Sequence, residues 1–114
     1  MKAYGDKLET FPVPADTVNT ILLAAATAQS MDYPTNTQIM RVTGLSSAGA
    51  QLNFYCNPMS TAAVLPTSGS SATTGSSGNS VPVVGTRQFA VVSSTSFGLI
   101  APTSGYVHVE CWRR

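Results

Sequence analysis

The sequence predicts an all-β fold: one antiparallel β-sandwich or jelly roll spanning residues 1–114, with a long Ser/Gly-rich loop. Three observations predict it. Apolar and polar residues alternate with a period of two in several short runs, the mark of a strand with one face in a core. Turn-forming clusters separate these runs at "VPAD", "DYPTN", "TGLSSAG", "CNP", "VGT", "SST" and "PTSG". The third observation is the stretch "LPTSGSSATTGSSGNSVP", residues 65–82, and the short length of chain beyond it. Only 34 residues run from Val81 to the end, and below roughly 40 residues a domain without staples does not build its own core. The strands after the stretch must therefore share an interior with those before it. That makes the stretch a loop within one domain, mobile over about 66–80, rather than a linker between two.

The runs can be justified in chain order. "LETFPV" (8–13) opens the series, with Pro12 marking an edge or a strand end. "DTVNTILLAAATAQS" (16–30) carries two competing signals. Its alanines and an Asp16 or Thr17 cap favour a helix, whereas the β-branched residues of "VNTILLA" favour a strand. Strand is the better reading because everything after it is β. "QIMRV" (38–42), "RQFAVV" (87–92) and "SFGLIA" (96–101) are short alternating runs. In "AQLNFYC" the residues Ala50, Leu52, Phe54 and Cys56 share one face, with Gln51, Asn53 and Tyr55 on the other. In "YVHVECW" the residues Val107, Val109 and Cys111 point one way and Tyr106, His108, Glu110 and Trp112 the other. Six to eight strands at this spacing suit a sandwich or jelly roll.

Composition narrows the role. Hydrophobic residues make up 43% of the chain, enough for a packed core, but only 10% are charged, against about a quarter in an ordinary soluble domain. Between Arg41 and Glu110 the single formal charge is Arg87. A surface of hydroxyls and amides suits a protein that packs against others. The net charge is +1 and the cations are scattered, apart from the terminal pair Arg113 and Arg114. Nucleic-acid binding needs clustered cations that displace counterions, so nucleic acid is not an expected partner. No run reaches the roughly 20 apolar residues of a membrane helix. "TILLAAATAQS" has the look of a signal peptide's apolar region, but Asp6, Glu9, Asp16, Pro12 and Pro14 precede it where a basic flank belongs. No membrane contact or export is expected. Cys56 and Cys111 could pair if their segments are neighbours, but without an export signal two buried thiols are the better reading.

Catalytic patterns are missing from the sequence. His108 and Cys111 lie three apart on one predicted strand, hence on opposite faces, and Cys56 is inward where His108 is outward. Two cysteines and one histidine cannot supply a structural zinc site, and the five acids are too dispersed for calcium. No phosphate loop, dinucleotide fingerprint or nucleophile elbow occurs. The expectation is no enzyme activity, no cofactor, no metal and no catalytic residue.

What remains is surface. Tyr106, His108, Glu110 and Trp112 form an outward row that continues into Arg113 and Arg114. The row has three readings: a stripe on which sugar rings stack, a protein interface anchored by its aromatic residues, or a face covered by the second sheet or by the chain's own N-terminal segment. A tryptophan in such a place favours an interface over open solvent. The opening "MKAYGDKLET" is the other candidate, with Tyr4 and Lys7 on an arm over about residues 1–7 that either reaches a neighbour or frays.

Three segments carry a resemblance: "YGDKLETFPVPADT" at the start, the strand-rich middle with its Ser/Gly loop, and "FGLIAPTSGYVHVECWRR" at the end. In them the chain resembles the small decoration, or cement, proteins of tailed double-stranded DNA bacteriophage capsids. The resemblance implies a sandwich or jelly roll on the capsid exterior of the virion, made in the host cytoplasm. It also implies a homo-dimer or homo-trimer that staples major capsid protein subunits, or other virion proteins, together. It carries no catalytic residues. The alternative from the residues alone is a carbohydrate-binding or fibre-tip sandwich module that uses the aromatic stripe of the last strand.

Overall fold

A computed structural model describes residues 14–65 and 80–113. They form eight strands: β1 (Thr17–Leu23), β2 (Gln29–Asp32), β3 (Thr37–Leu45), β4 (Asn53–Asn57), β5 (Val81–Val84), β6 (Thr86–Ala90), β7 (Ser96–Ile100) and β8 (Gly105–Arg113). There is no helix among these residues. The strands build two four-stranded sheets, in the orders β1-β8-β3-β6 and β2-β7-β4-β5, here called the first and second sheet. Every pairing is antiparallel.

The order has a simple origin. β1 pairs with β8, β2 with β7, β3 with β6 and β4 with β5, so the pairs nest like the rungs of one long hairpin. Rolling that hairpin adds the β3–β8 and β4–β7 pairings and splits the ribbon into two facing sheets. This is a jelly roll. The tip of the hairpin is the β4–β5 connection, which contains the Ser/Gly stretch. Its base is tied: the Val64 N–H donates to Ser80 Oγ at 3.1 Å across sixteen positions. Residues 66–79 lie outside the described residues, as do 1–13 with the expected 8–13 strand and the 1–7 arm.

Alternation places the core as the sequence predicts. Met40, Val42, Val107, Val109 and Cys111 of the first sheet meet Phe54, Cys56, Val83, Phe97 and Leu99 of the second, with Leu23, Leu52 and Ala101 closing the ends. Each sheet draws strands from both sides of the Ser/Gly stretch, so the two halves share this interior. "VNTILLA" is a strand, and not a helix, because Ile21 and Leu23 point into this core at a spacing of two.

Two strands have no counterpart among the expected runs. β2, "QSMD", is four residues with one apolar side chain turned inward, too little to show a period. β5, "VPVV", falls between the end of the Ser/Gly stretch and the "VGT" turn, and its Pro82 is tolerated because β5 lies at the edge of its sheet. The "TGLSSAG" turn is shorter than expected as well: β3 continues to Leu45, and the turn is made by Ser46–Gly49.

The outside of the second sheet is partly covered by the chain that follows β4. Asn57, only 2% exposed, holds that segment by donating to Ser60 Oγ and the Ala62 carbonyl and accepting from the Met59 N–H. Under it Gly98 has no room for a side chain, since a Cβ would sit 2.6 Å from the Thr61 carbonyl oxygen.

Packing at Gly44 gives a direct test. A Cβ there would lie 2.5 Å from the Leu52 carbonyl oxygen and 2.7 Å from the Phe54 ring. Gly44→Val should lower unfolding stability by about 2 kcal/mol or more in urea titration. Gly49→Ala meets nothing within 4 Å and only loses a favourable positive φ of 83°, so its loss should stay near 1 kcal/mol.

Candidate functional site

β8 is flanked by β1 and β3, and this position builds the site. Its inward residues Val107, Val109 and Cys111 are fully buried, which forces Tyr106, His108, Glu110 and Trp112 onto the outer face, where each is half-buried. The second sheet lies against the opposite side, so it does not cover this row. Register supplies the neighbours. Tyr106 stands between Leu22 and Leu45, His108 between Thr20 and Thr43, and Glu110 between Val18 and Arg41, while Trp112 sits beside Ile39.

The centre of the face is polar and internally satisfied. Arg41 Nε and a terminal guanidinium nitrogen both donate to Glu110 Oε1, each at 2.9 Å. The same guanidinium lies 5.1 Å from the Trp112 ring centroid, a cation–π distance. Thr20 Oγ1 is 3.3 Å from His108 Nδ1, and Thr86 Oγ1 donates to Thr43 Oγ1 at 3.1 Å. The side chains of Arg41 and Glu110 remain 38% and 22% exposed, so the pair adds under about 1 kcal/mol to stability. Its larger effect is to leave the face without net charge. Around it lie apolar groups, of which Leu22 is 75% and Val18 52% exposed.

The other expected site residues fall differently. Arg113 is exposed, and its backbone N–H donates to an Asp16 carboxylate oxygen at 2.6 Å, fastening the end of β8 to the start of β1. Tyr4, Lys7 and Arg114 lie outside the described residues. Sequence reasoning placed the β8 row but missed the residues beside it: Val18, Thr20 and Leu22 on β1, and Ile39, Arg41, Thr43 and Leu45 on β3. One signal was present. Arg41 and Glu110 bracket the charge-poor stretch of the sequence, and folding sets them side by side.

Two depressions flank the sandwich ends. One, about 470 Å³, is lined by Leu22, Leu23, Ala24, Gln29 and Tyr106 among others. The second, about 360 Å³, is bordered by Tyr33, Asn36, Thr37, Ser93 and Thr95 among others. Neither brings a nucleophile to a base. Tyr33 is tied up as a donor to the Pro58 carbonyl at 2.6 Å, and burial, with the two thiols nearby, pushes its phenol above the usual range. Among the described residues no three His, Cys, Asp or Glu side chains gather to hold a metal.

Cys56 and Cys111 are both buried and free. They belong to opposite sheets. Burial pushes the Cys56 thiol from 9.0 up to about 12, with Arg87 pulling the other way. Burial raises Cys111 too, opposed by the hydroxyls of Thr17 and Thr37. That opposition is weak, because Thr17 Oγ1 is buried without a well-formed hydrogen bond.

A thiol reagent should therefore leave both cysteines unmodified in the native protein at neutral pH and label two per chain in denaturant. The same shift sets an alkaline limit. The unfolded chain releases the Cys56 proton near 9.0 while the folded chain holds it to about 12. Stability should be full below that interval and fall as pH rises through it. Cys56→Ala should flatten the fall in a pH series of urea melts.

Compared with family models, curated proteins and solved structures, the chain matches none.

Proposed function

We propose that the protein is a non-enzymatic structural component of a phage virion. In this reading it binds the outside of the capsid as an oligomer, through the outer face of the first sheet, and stabilises the shell by bridging its subunits. The observation that carries the reading is the composition of that face: Tyr106, Trp112, Ile39, Leu45, Val18 and Leu22 around an ion pair that neutralises itself. Tryptophan, tyrosine and arginine, all present here, supply much of the energy of protein interfaces, and the aliphatic groups around them exclude water. Arg41 and Glu110 already satisfy one another, so a partner covers them without having to bring a counter-charge. Jelly rolls serve as capsid and lectin domains alike, and fold alone does not choose between them.

Geometry favours the protein partner over a sugar. Tyr106 and Trp112 are six residues apart on β8, about 20 Å at ~3.3 Å per residue. One sugar ring cannot stack on both. A shell surface can reach both at once, and repeated copies on a symmetric shell multiply modest contacts.

Light scattering should give two or three times 11.9 kDa, and the protein should co-sediment with capsid shells that lack it. Trp112→Ala should weaken that binding by at least about tenfold, as loss of an interface anchor does. A monomer that stays in the supernatant contradicts the proposal. Binding to a glycan array that Trp112→Ala abolishes would favour the carbohydrate reading instead.

A further inference from the structure

A sandwich has four sheet edges, each a row of main-chain groups ready to pair with another strand, and soluble proteins blunt them. Three of the four are blunted here. β2 is four residues long and ends in Asp32. β5 is equally short and contains Pro82. β6 carries Arg87, whose guanidinium donates to the Pro82 carbonyl at 3.0 Å and lies 5.4 Å from the Phe89 ring centroid. Arg87 thereby ties the edge of one sheet to the edge of the other.

β1 has none of these devices. "TVNTILL" is seven residues long, continuous in register with β8, and free of charge, proline and glycine. Among the described residues no strand lies beyond it. Its β-branched and aliphatic residues favour pairing. Val18 and Leu22, two of its outer-face residues, are among the most exposed large apolar side chains of the described chain.

We propose that β1 pairs antiparallel with β1 of a second copy about a two-fold axis at Thr20, joining two first sheets into one eight-stranded sheet. The strand is self-complementary in that register. Antiparallel pairing about Thr20 sets Val18 of one copy opposite Leu22 of the other, twice, so the exposed apolar groups cover each other. Because the strand is uncharged, no like charges meet across the axis. The second copy is the favoured occupant because the same pairing sets both Tyr106–Trp112 rows on one continuous surface. The inference thus rests on the proposed docking role and deepens it: two linked faces bind a shell with the gain of bivalency.

The test reads the association of copies apart from their binding to shells. Wild-type protein should show twice 11.9 kDa in sedimentation equilibrium, and hydrogen exchange of amides in 17–23 should slow as protein concentration rises. Thr20→Pro removes an N–H that faces away from β8, at the proposed axis, and leaves Tyr106, Trp112, Ile39, Leu45, Val18 and Leu22 in place. It should weaken dimerisation at least tenfold while leaving the β-sheet circular dichroism unchanged. Should that variant fail to fold, Val18→Lys with Leu22→Lys, at exposed positions, should separate the copies by placing cations opposite each other. Folded variants that keep the wild-type mass overturn the inference, as does a trimer. Protection of 17–23 that is independent of concentration overturns it too, since the chain's own segment then covers the edge. A monomeric wild type that still sediments with shells overturns the pairing and leaves the proposed docking role standing.

Discussion

The pairing of β3 with β8 is the constraint on which the rest depends. Both strands have nine residues and both are central in the first sheet. Their register sets Met40 beside Cys111 and Val42 beside Val109, which makes one wall of the core. The same register sets Arg41 beside Glu110 and Ile39 beside Trp112, which makes the outer face. A slip of one residue would turn every one of these side chains to the wrong side. Core and candidate site are therefore the two faces of a single decision about register.

That pairing spans the Ser/Gly stretch, and so do β1–β8, β3–β6, β2–β7, β4–β7 and β4–β5. Every ladder among the described residues joins a strand from before the stretch to one from after it. Loop-closure entropy grows slowly with length, so a long connection at the hairpin tip adds little thermodynamic burden. The consequence is kinetic: a fold made of non-local pairs forms slowly relative to its stability. Free edges matter during that interval, and three of the four carry protection.

How much was legible depends on range. Alternation is local, so "YVHVECW" and "QIMRV" reveal their faces, as do Leu52, Phe54 and Cys56 of "AQLNFYC", and the row from Tyr106 to Trp112 comes out on the correct side. Ala50, expected inward, is exposed because it lies in the turn before β4. β2 and β5 are too short, or too disguised by Pro82, to show a period. Which strand lies beside which is a non-local fact, and alternation carries no information on it. The ion pair of Arg41 with Glu110, and the flanks that Val18, Leu22, Ile39 and Leu45 give the aromatic row, became visible only with the register. Tyr4, Lys7 and Arg114, also singled out from the sequence, lie outside the described residues.

The most direct measurement of shared dependence is to sever the chain within 66–79 and study the two pieces apart and together. Since every ladder crosses the cut, each piece alone should give no cooperative unfolding transition, and an equimolar mixture should recover a β-sheet circular dichroism spectrum with one transition. A first piece that melts cooperatively by itself would contradict the nested-hairpin fold, and with it the face assigned to docking.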